Sequence, residues 1–223
     1  MKLPVLILAI LMAAASAAGQ VLTAKDDISA EKYFAAENRA AELLKTANYR
    51  SVWTKEYFAD RSKAAELQEK TTFEVTQPLR WRKVEEKFRG KGSRKEFIFD
   101  GKDYFFRFND EPWEKVGLGN GSGGRIFRGQ VTDRYRYLPS VDFEGKKVEL
   151  YEQFSARRPT IFYLSTEYDS AQSIRTTRSW YSEGKLLKIV EDYSVEGYED
   201  MLRETTTYEY DPKDLKIEAP VVK

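Results

Sequence analysis

The first regular hydrophobic pattern in the chain is helical. Tyr33, Phe34, Ala36, Ala40, Ala41, Leu43, Leu44 and Ala47 recur at the spacing of one buried helix face, and Glu31, Lys32, Glu37, Arg39, Glu42 and Lys45 fill the other side. Ser29 is placed to cap this helix, which should end near Asn48-Tyr49. The stretch 51–67 has no clear period. Its Ala64-Ala65-Glu66-Leu67 could be a helical turn, or the stretch could begin a sheet.

From Thr71 the period changes to that of strands. Segments rich in Tyr, Phe, Val, Ile and Thr predict strands at 71–75, 80–89, 94–99, 104–108, 113–116, 148–155, 160–168, 174–182, 186–194 and 201–210. Asp100-Gly101 and Glu183-Gly184 separate apolar runs at hairpin spacing, and consecutive hairpins make an antiparallel meander. Phe97 and Phe99 share a face, as do Tyr104, Phe106 and Phe108; Val148, Leu150, Glu152 and Phe154 are in phase, and so are Leu187, Ile189, Glu191 and Tyr193. One side of such a sheet is wet and the other needs a cover. The N-terminal helix is one cover, and 124–138 is expected to supply a second, short helix. The predicted class is α+β, mostly antiparallel β: a curved sheet or half-open β-barrel covered by an N-terminal helix and short helices. No repeat and no Pro-rich linker marks a second domain.

Ahead of this domain lies a different text. Met1-Lys2 precedes an apolar run that ends in Ala15-Ser16-Ala17, the three parts of a secretory signal peptide. The run is shorter than the ~20 residues that span a bilayer. The expected division is a cleaved signal peptide at 1–18, a flexible leader at 19–28 and one β domain at 29–223. The mature protein is expected to be periplasmic or secreted, with no stable transmembrane anchor.

Composition narrows the chemistry. Cys is absent, so disulfides and thiolate metal sites are excluded, and a mature chain of this length can bury a core without them. His is absent as well, which removes the usual general acid–base side chain and any Ser-His-Asp triad. Lys and Arg total 37 against 36 Asp and Glu, a balance that argues against nucleic acid as the partner. The basic–aromatic runs Arg80-Trp81-Arg82-Lys83 and Arg134-Tyr135-Arg136-Tyr137 therefore read as two-faced strands rather than single-strand binders.

Gly119-Asn120-Gly121-Ser122-Gly123-Gly124 has the letters of G-x-G-x-x-G, but it sits among hairpins rather than in a βαβ unit. It is read as a loop, conceivably a lid at a cavity mouth, and it also holds the sequon Asn120-Gly121-Ser122. Among the carboxylates, Glu85-Glu86, Asp192, Glu196 and Glu199-Asp200 are the candidates for a glycosidase-like pair. Neighbouring strand residues point to opposite faces, so Glu85 and Glu86 cannot both serve one site without a bulge. No calcium loop is present in the sequence. No catalytic residue, cofactor or metal is expected, and the chain is read as no enzyme.

The aromatic excess carries more weight. Trp81, Phe97, Phe99, Phe106, Phe108, Trp113, Phe162 and Trp180 all fall in predicted strands. Singly, each reads as core, worth roughly 1.5–3 kcal/mol when buried. Together, under few helices, they are expected to line an apolar cavity able to hold a ligand.

The tail Tyr208-Glu209-Tyr210-Asp211-Pro212-Lys213-Asp214-Leu215-Lys216-Ile217-Glu218-Ala219-Pro220 resembles the closing segment of the outer-membrane lipoprotein-carrier superfamily of LolA and LppX types. The hairpin Thr177-Arg178-Ser179-Trp180-Tyr181-Ser182-Glu183-Gly184-Lys185-Leu186-Leu187-Lys188 is similar to that family's strand–turn–strand unit. So is Phe97-Ile98-Phe99-Asp100-Gly101-Lys102-Asp103-Tyr104, followed by Trp113. The resemblance implies a half-open barrel with helices plugging its concave side and reversible binding of a lipid or acyl chain there. The Cys that anchors lipidated members is missing. The rival expectation is an exported interaction module with a packed core, no ligand, and an envelope protein as partner.

Overall fold

The computed structural model describes residues 27–117, 129–163, 166–169 and 172–222, with side chains for all of these except 129–131, 158–163 and 166–169. The expected signal peptide, nearly all of the leader, and the glycine patch beyond Gly117 lie outside the described residues.

Among the described residues one helix, α1 (Ala30–Thr46), precedes twelve strands. They are β1 (Tyr49–Phe58), β2 (Glu66–Thr76), β3 (Arg80–Lys87), β4 (Ser93–Phe99), β5 (Tyr104–Phe108), β6 (Glu114–Val116), β7 (Gly129–Phe143), β8 (Lys146–Tyr163), β9 (Thr166–Asp169), β10 (Ser173–Ser182), β11 (Lys185–Val195) and β12 (Met201–Tyr210). They form an open, curved sheet in the order β6-β5-β4-β3-β2-β1-β12-β11-β10-β8-β7, with β9 paired to β8 off this path. All described pairings are antiparallel. The sheet is two hairpin ladders, β1–β6 and β7–β12, laid side by side. They are joined where β1 pairs with β12, from Tyr49↔Tyr210 to Phe58↔Met201.

Local chemistry accounts for the elements. Ser29 caps α1 by accepting from the Lys32 N–H at 3.3 Å. The β10–β11 turn places Glu183 at φ 52° and Gly184 at φ 77°, the left-handed pair that a two-residue hairpin requires.

Two expectations need correction, at 124–138 and at 160–168, and the open reading at 51–67 resolves to its sheet alternative. The short helix expected at 124–138 is not there: within the described residues this stretch belongs to β7. Val131, Thr132, Tyr135 and Tyr137 are β-branched or aromatic, and Arg134 and Arg136 alternate with the tyrosines, which is a strand period. Pro139, which would break a helix, sits where the β7–β8 register skips from Leu138 to Val141, on an edge strand that tolerates it. The stretch 51–67 is sheet: β1, a turn, and the start of β2. The single strand expected at 160–168 is instead the end of β8 and most of β9, antiparallel to each other.

Registered partners share a face, so the pairing sorts the side chains. On one face α1 packs over the β7–β12 ladder. Its Tyr33, Ala36 and Ala40 are buried against Tyr151, Tyr181 and Leu186, with Tyr135, Tyr137, Ile189 and Tyr208 around them. Small Ala36 and Ala40 let the helix approach closely. Just before it, Ile28 donates its N–H to the Tyr135 carbonyl at 2.9 Å and Asp27 accepts from Arg134 at 2.9 Å, which covers part of the outer edge of β7.

The opposite face is covered differently. After β12 the chain turns at Asp211, whose N–H bonds the Asn48 carbonyl at 2.9 Å. It then crosses the outer side of the β1–β6 ladder and seats Ile217, 4% exposed, against Ile98 and Phe105 with Trp113 alongside. Beside this apolar seat the face carries a series of charges. Arg107, Glu96, Arg82, Glu74 and Arg50 succeed one another across β5 to β1, and Asp214 of the tail closes the series at 2.9 Å from Arg50. On the other ladder Arg203, Asp192 and Arg178 form a shorter series, and Glu152 lies in register between Arg178 and its ion-pair partner Arg136.

Candidate functional site

The register brings together a band of rings on the helix-bearing face. Tyr104 of β5 stacks on Phe99 of β4 with centroids 4.5 Å apart. Phe99 lies 6.2 Å from Trp81 of β3, Trp81 6.0 Å from Phe73 of β2, Phe73 6.2 Å from Tyr49 of β1, and Tyr49 6.3 Å from Tyr208 of β12. Phe106 and Phe97 pair beside it at 5.0 Å. At Tyr208 the band reaches the cluster under α1, where Tyr181, Tyr151 and Tyr137 continue it across β10, β8 and β7 at 5.4 and 4.7 Å. Separations of this size suit favourable ring packing.

The two halves of the band differ in cover. Under α1 the rings are buried: Tyr33 is 1% exposed, and Tyr151 and Tyr181 are also buried. Over β1–β5, no described element lies on the band. Phe73, Trp81, Phe97, Phe99, Tyr104, Phe106 and Phe108 are all only partly buried there.

Further along the same strands the face becomes polar. A depression of about 380 Å³ is lined by Trp53, Glu69, Thr71, Lys83, Glu85, Glu86 and Lys87. Lys83 pairs with Glu85, and Lys87 with Glu69 at 3.7 Å. The uncovered face is thus apolar along one side and charged along the other. Its volume falls at the lower end of ordinary ligand pockets, but its lining is not apolar.

Electrostatics under the helix are set by burial. Burial pushes the Tyr33 and Tyr181 phenols far above the ordinary tyrosine range, with the Glu37 carboxylate adding to it in both cases. Tyr208 is pushed up to about 12 by burial, with Tyr49 and Tyr210 beside it. Glu37 itself is pushed up by burial.

Of the eight aromatic residues expected to line a site, Trp81, Phe97, Phe99, Phe106 and Phe108 come together on this face. Trp113 sits instead beside Ile98, Phe105 and Ile217 on the opposite face. Trp180 also faces the other way, 5.8 Å from Phe143, because its register partners are Lys188 and Leu150. The side chain of Phe162 lies outside the described residues. Phe73, Tyr49, Tyr104 and Tyr208 complete the band and were not singled out from sequence. Tyr49, Tyr104 and Tyr208 each stand an even number of residues from another aromatic in their own strand, which is a signal in the sequence, whereas Phe73 is the sole aromatic of β2 and its register partners are Ser51 and Lys83.

The carboxylates find local partners. Glu85 and Glu86 are neighbours in β3, where neither register has a bulge, and both border the depression, while Asp192 is held by Arg178 and Arg203. Glu191 and Glu204 stand opposite each other across β11–β12. Glu191 is engaged by Arg175, Thr177 and Tyr193, and Glu204 accepts from the Trp53 indole N–H at 3.3 Å. Among the described residues no group of three potential metal ligands gathers, and no helix is long and apolar enough to cross a membrane.

No family model and no curated protein matches the chain. Among solved structures it is similar to a DUF1329 family protein from Desulfovibrio piger, with 10% identity, TM-score 0.29, and coverage of 81% of this chain and 92% of that one. It is also similar to a putative outer membrane lipoprotein-sorting protein domain from Vibrio parahaemolyticus, with 11% identity, TM-score 0.26, and coverage of 82% and 94%. Superposition this loose leaves fold and function to rest on the geometry of the chain itself.

Proposed function

We propose that the chain is a non-enzymatic exported protein, periplasmic or secreted, that binds or carries a lipid or other apolar ligand on the helix-bearing face of its sheet. The observation that supports this is the uncovered half of the aromatic band over β1–β5. There, partly buried rings on successive strands offer a continuous apolar track, bordered on one side by charge. An acyl chain laid across the strands would remove those rings from water, and a polar end would meet the Lys83–Glu85 side. Trp81, Phe97, Phe99, Phe106 and Phe108 are the proposed lining, with Phe73 and Tyr104 added by the register.

Uptake of a fluorescent fatty acid by the purified protein, together with mass spectrometry of what co-purifies, tests the reading. Saturable uptake that falls about tenfold in Trp81→Ala and in Phe99→Ala is expected, in keeping with one buried ring each. No co-purified lipid and no saturable uptake would sink it.

The rival is a protein-interaction module whose exposed face meets an envelope protein. The openness of the band and the polar lining of the depression favour it over an enclosed cavity. A cross-linked envelope protein recovered through this face, with no ligand uptake, would decide for it.

A further inference from the structure

Antiparallel order puts the β1–β2 and β3–β4 turns side by side at one end of the sheet. The β3–β4 turn is Phe88-Arg89-Gly90-Lys91-Gly92 and holds no acid; Phe88, Arg89 and Lys91 are exposed. The β1–β2 turn adds exposed Arg61 and Lys63 against two acids, Asp60, which accepts from the Ser62 N–H and hydroxyl at 2.9 and 3.0 Å, and exposed Glu66 where β2 begins.

Two large apolar side chains stand out of this basic end. Phe88 is 49% exposed and Leu67 is 41% exposed. They are neighbours: the Phe88 N–H donates to the Gln68 carbonyl at 2.9 Å, one residue from Leu67. Gly90 and Gly92, at φ 75° and 64°, keep the turn tight, so exposed Phe88, Arg89 and Lys91 are held within one short loop. The flanking turns at the same end are acidic, with Asp110 and Glu111 on one side and Glu196, Glu199 and Asp200 on the other. Among the described residues of β1–β6, the basic, apolar-tipped sector lies on these two hairpins.

We propose that this end of the sheet docks on a bilayer surface rich in anionic headgroups. Phe88 and Leu67 would enter the headgroup boundary, while Arg89, Lys91, Arg61 and Lys63 would lie at the phosphates. Apolar side chains ringed by cations have the chemistry of an interfacial anchor. The acidic flanks set the tilt, because they would be repelled from the same surface. The docking stands on this patch alone and is independent of whether the aromatic band holds a ligand.

Co-sedimentation of the mature chain with phosphatidylcholine vesicles, with and without a phosphatidylglycerol fraction, tests it. Binding is expected only to the anionic vesicles, and it should be lost as salt is raised. Arg89→Glu combined with Lys91→Glu should weaken it by about a hundredfold or more, and Phe88→Ser by about tenfold. Lys102→Glu combined with Lys146→Glu makes the same charge change at the far end of the sheet and should leave binding as it was. Equal binding to both vesicle types, no binding to either, or equal losses from the two double variants would overturn the proposal. Fatty-acid uptake measured without vesicles reports the aromatic band separately.

Discussion

Glu96 is the most consequential single side chain on the outer face. It is 2% exposed, yet it accepts from Arg82 at 2.7 Å and from Arg107 at 2.6 Å. Burial alone would raise its pKa, but the Arg107 and Arg82 guanidiniums outweigh burial and hold the carboxyl below its usual range. A carboxylate depressed in the folded state stabilises the protein above its unfolded pKa of about 4.3, and that contribution fades as pH falls through the lower, folded value. Glu96→Gln should therefore cost about 3 kcal/mol at neutral pH, the low end for breaking a buried pair because both arginines keep some access to water. The deficit should shrink in acid. Urea unfolding of both proteins from pH 7 to pH 3 checks this, and a pH-independent difference would contradict it. None of this network is legible in the sequence, because Arg82, Glu96 and Arg107 meet only once the β3–β4 and β4–β5 registers are known.

At the scale of elements, hairpins with tight turns were the readable part. The strands at 104–108 and 201–210 fall where periodicity and turn residues place them, and α1 follows its cap and its small-residue face. β1 resisted because Tyr49–Phe58 carries polar residues on both faces, with Arg50, Thr54 and Glu56 alternating against Ser51 and Lys55. β7 resisted because its core-facing positions are tyrosines separated by arginines. That pattern becomes a strand face only when Tyr137↔Tyr151 and Arg136↔Glu152 are paired. The aromatic site was half legible for the same reason. Composition and alternation marked the rings, but which face Trp113 and Trp180 take depends on the tail and on the β10–β11 register. The tail itself behaves as a packing element through a single anchor. Ile217→Ala should cost about 2 kcal/mol or somewhat more and should expose the segment after Asp211 to protease. Chemical denaturation and timed proteolysis would measure the two effects, and an unchanged cleavage pattern would show that Arg50 and Asp214 hold the tail without it.

For the molecule as a whole, the decisive contact is the seam between the two ladders. Every other pairing on the sheet path links strands that follow closely in the chain, whereas Tyr49 meets Tyr210 across most of its length. A proline at Thr54, which pairs with Thr205 on one side and Lys70 on the other, would remove a ladder N–H in mid-sheet. Thr54→Pro should cost about 3 kcal/mol or more and separate the unfolding of the ladders. Calorimetry should then show two transitions or one broadened one, and a single sharp transition at the original midpoint would refute that picture. The seam also orders events in time. As the polypeptide is made or threaded across a membrane, one side of β1 has no partner until its very last strand arrives. Until then a row of open amide and carbonyl groups is offered to any passing chain. A protein wired this way needs escort or haste during its birth, and a message cut short by a few dozen codons would yield an adhesive half-sheet rather than a merely shorter protein.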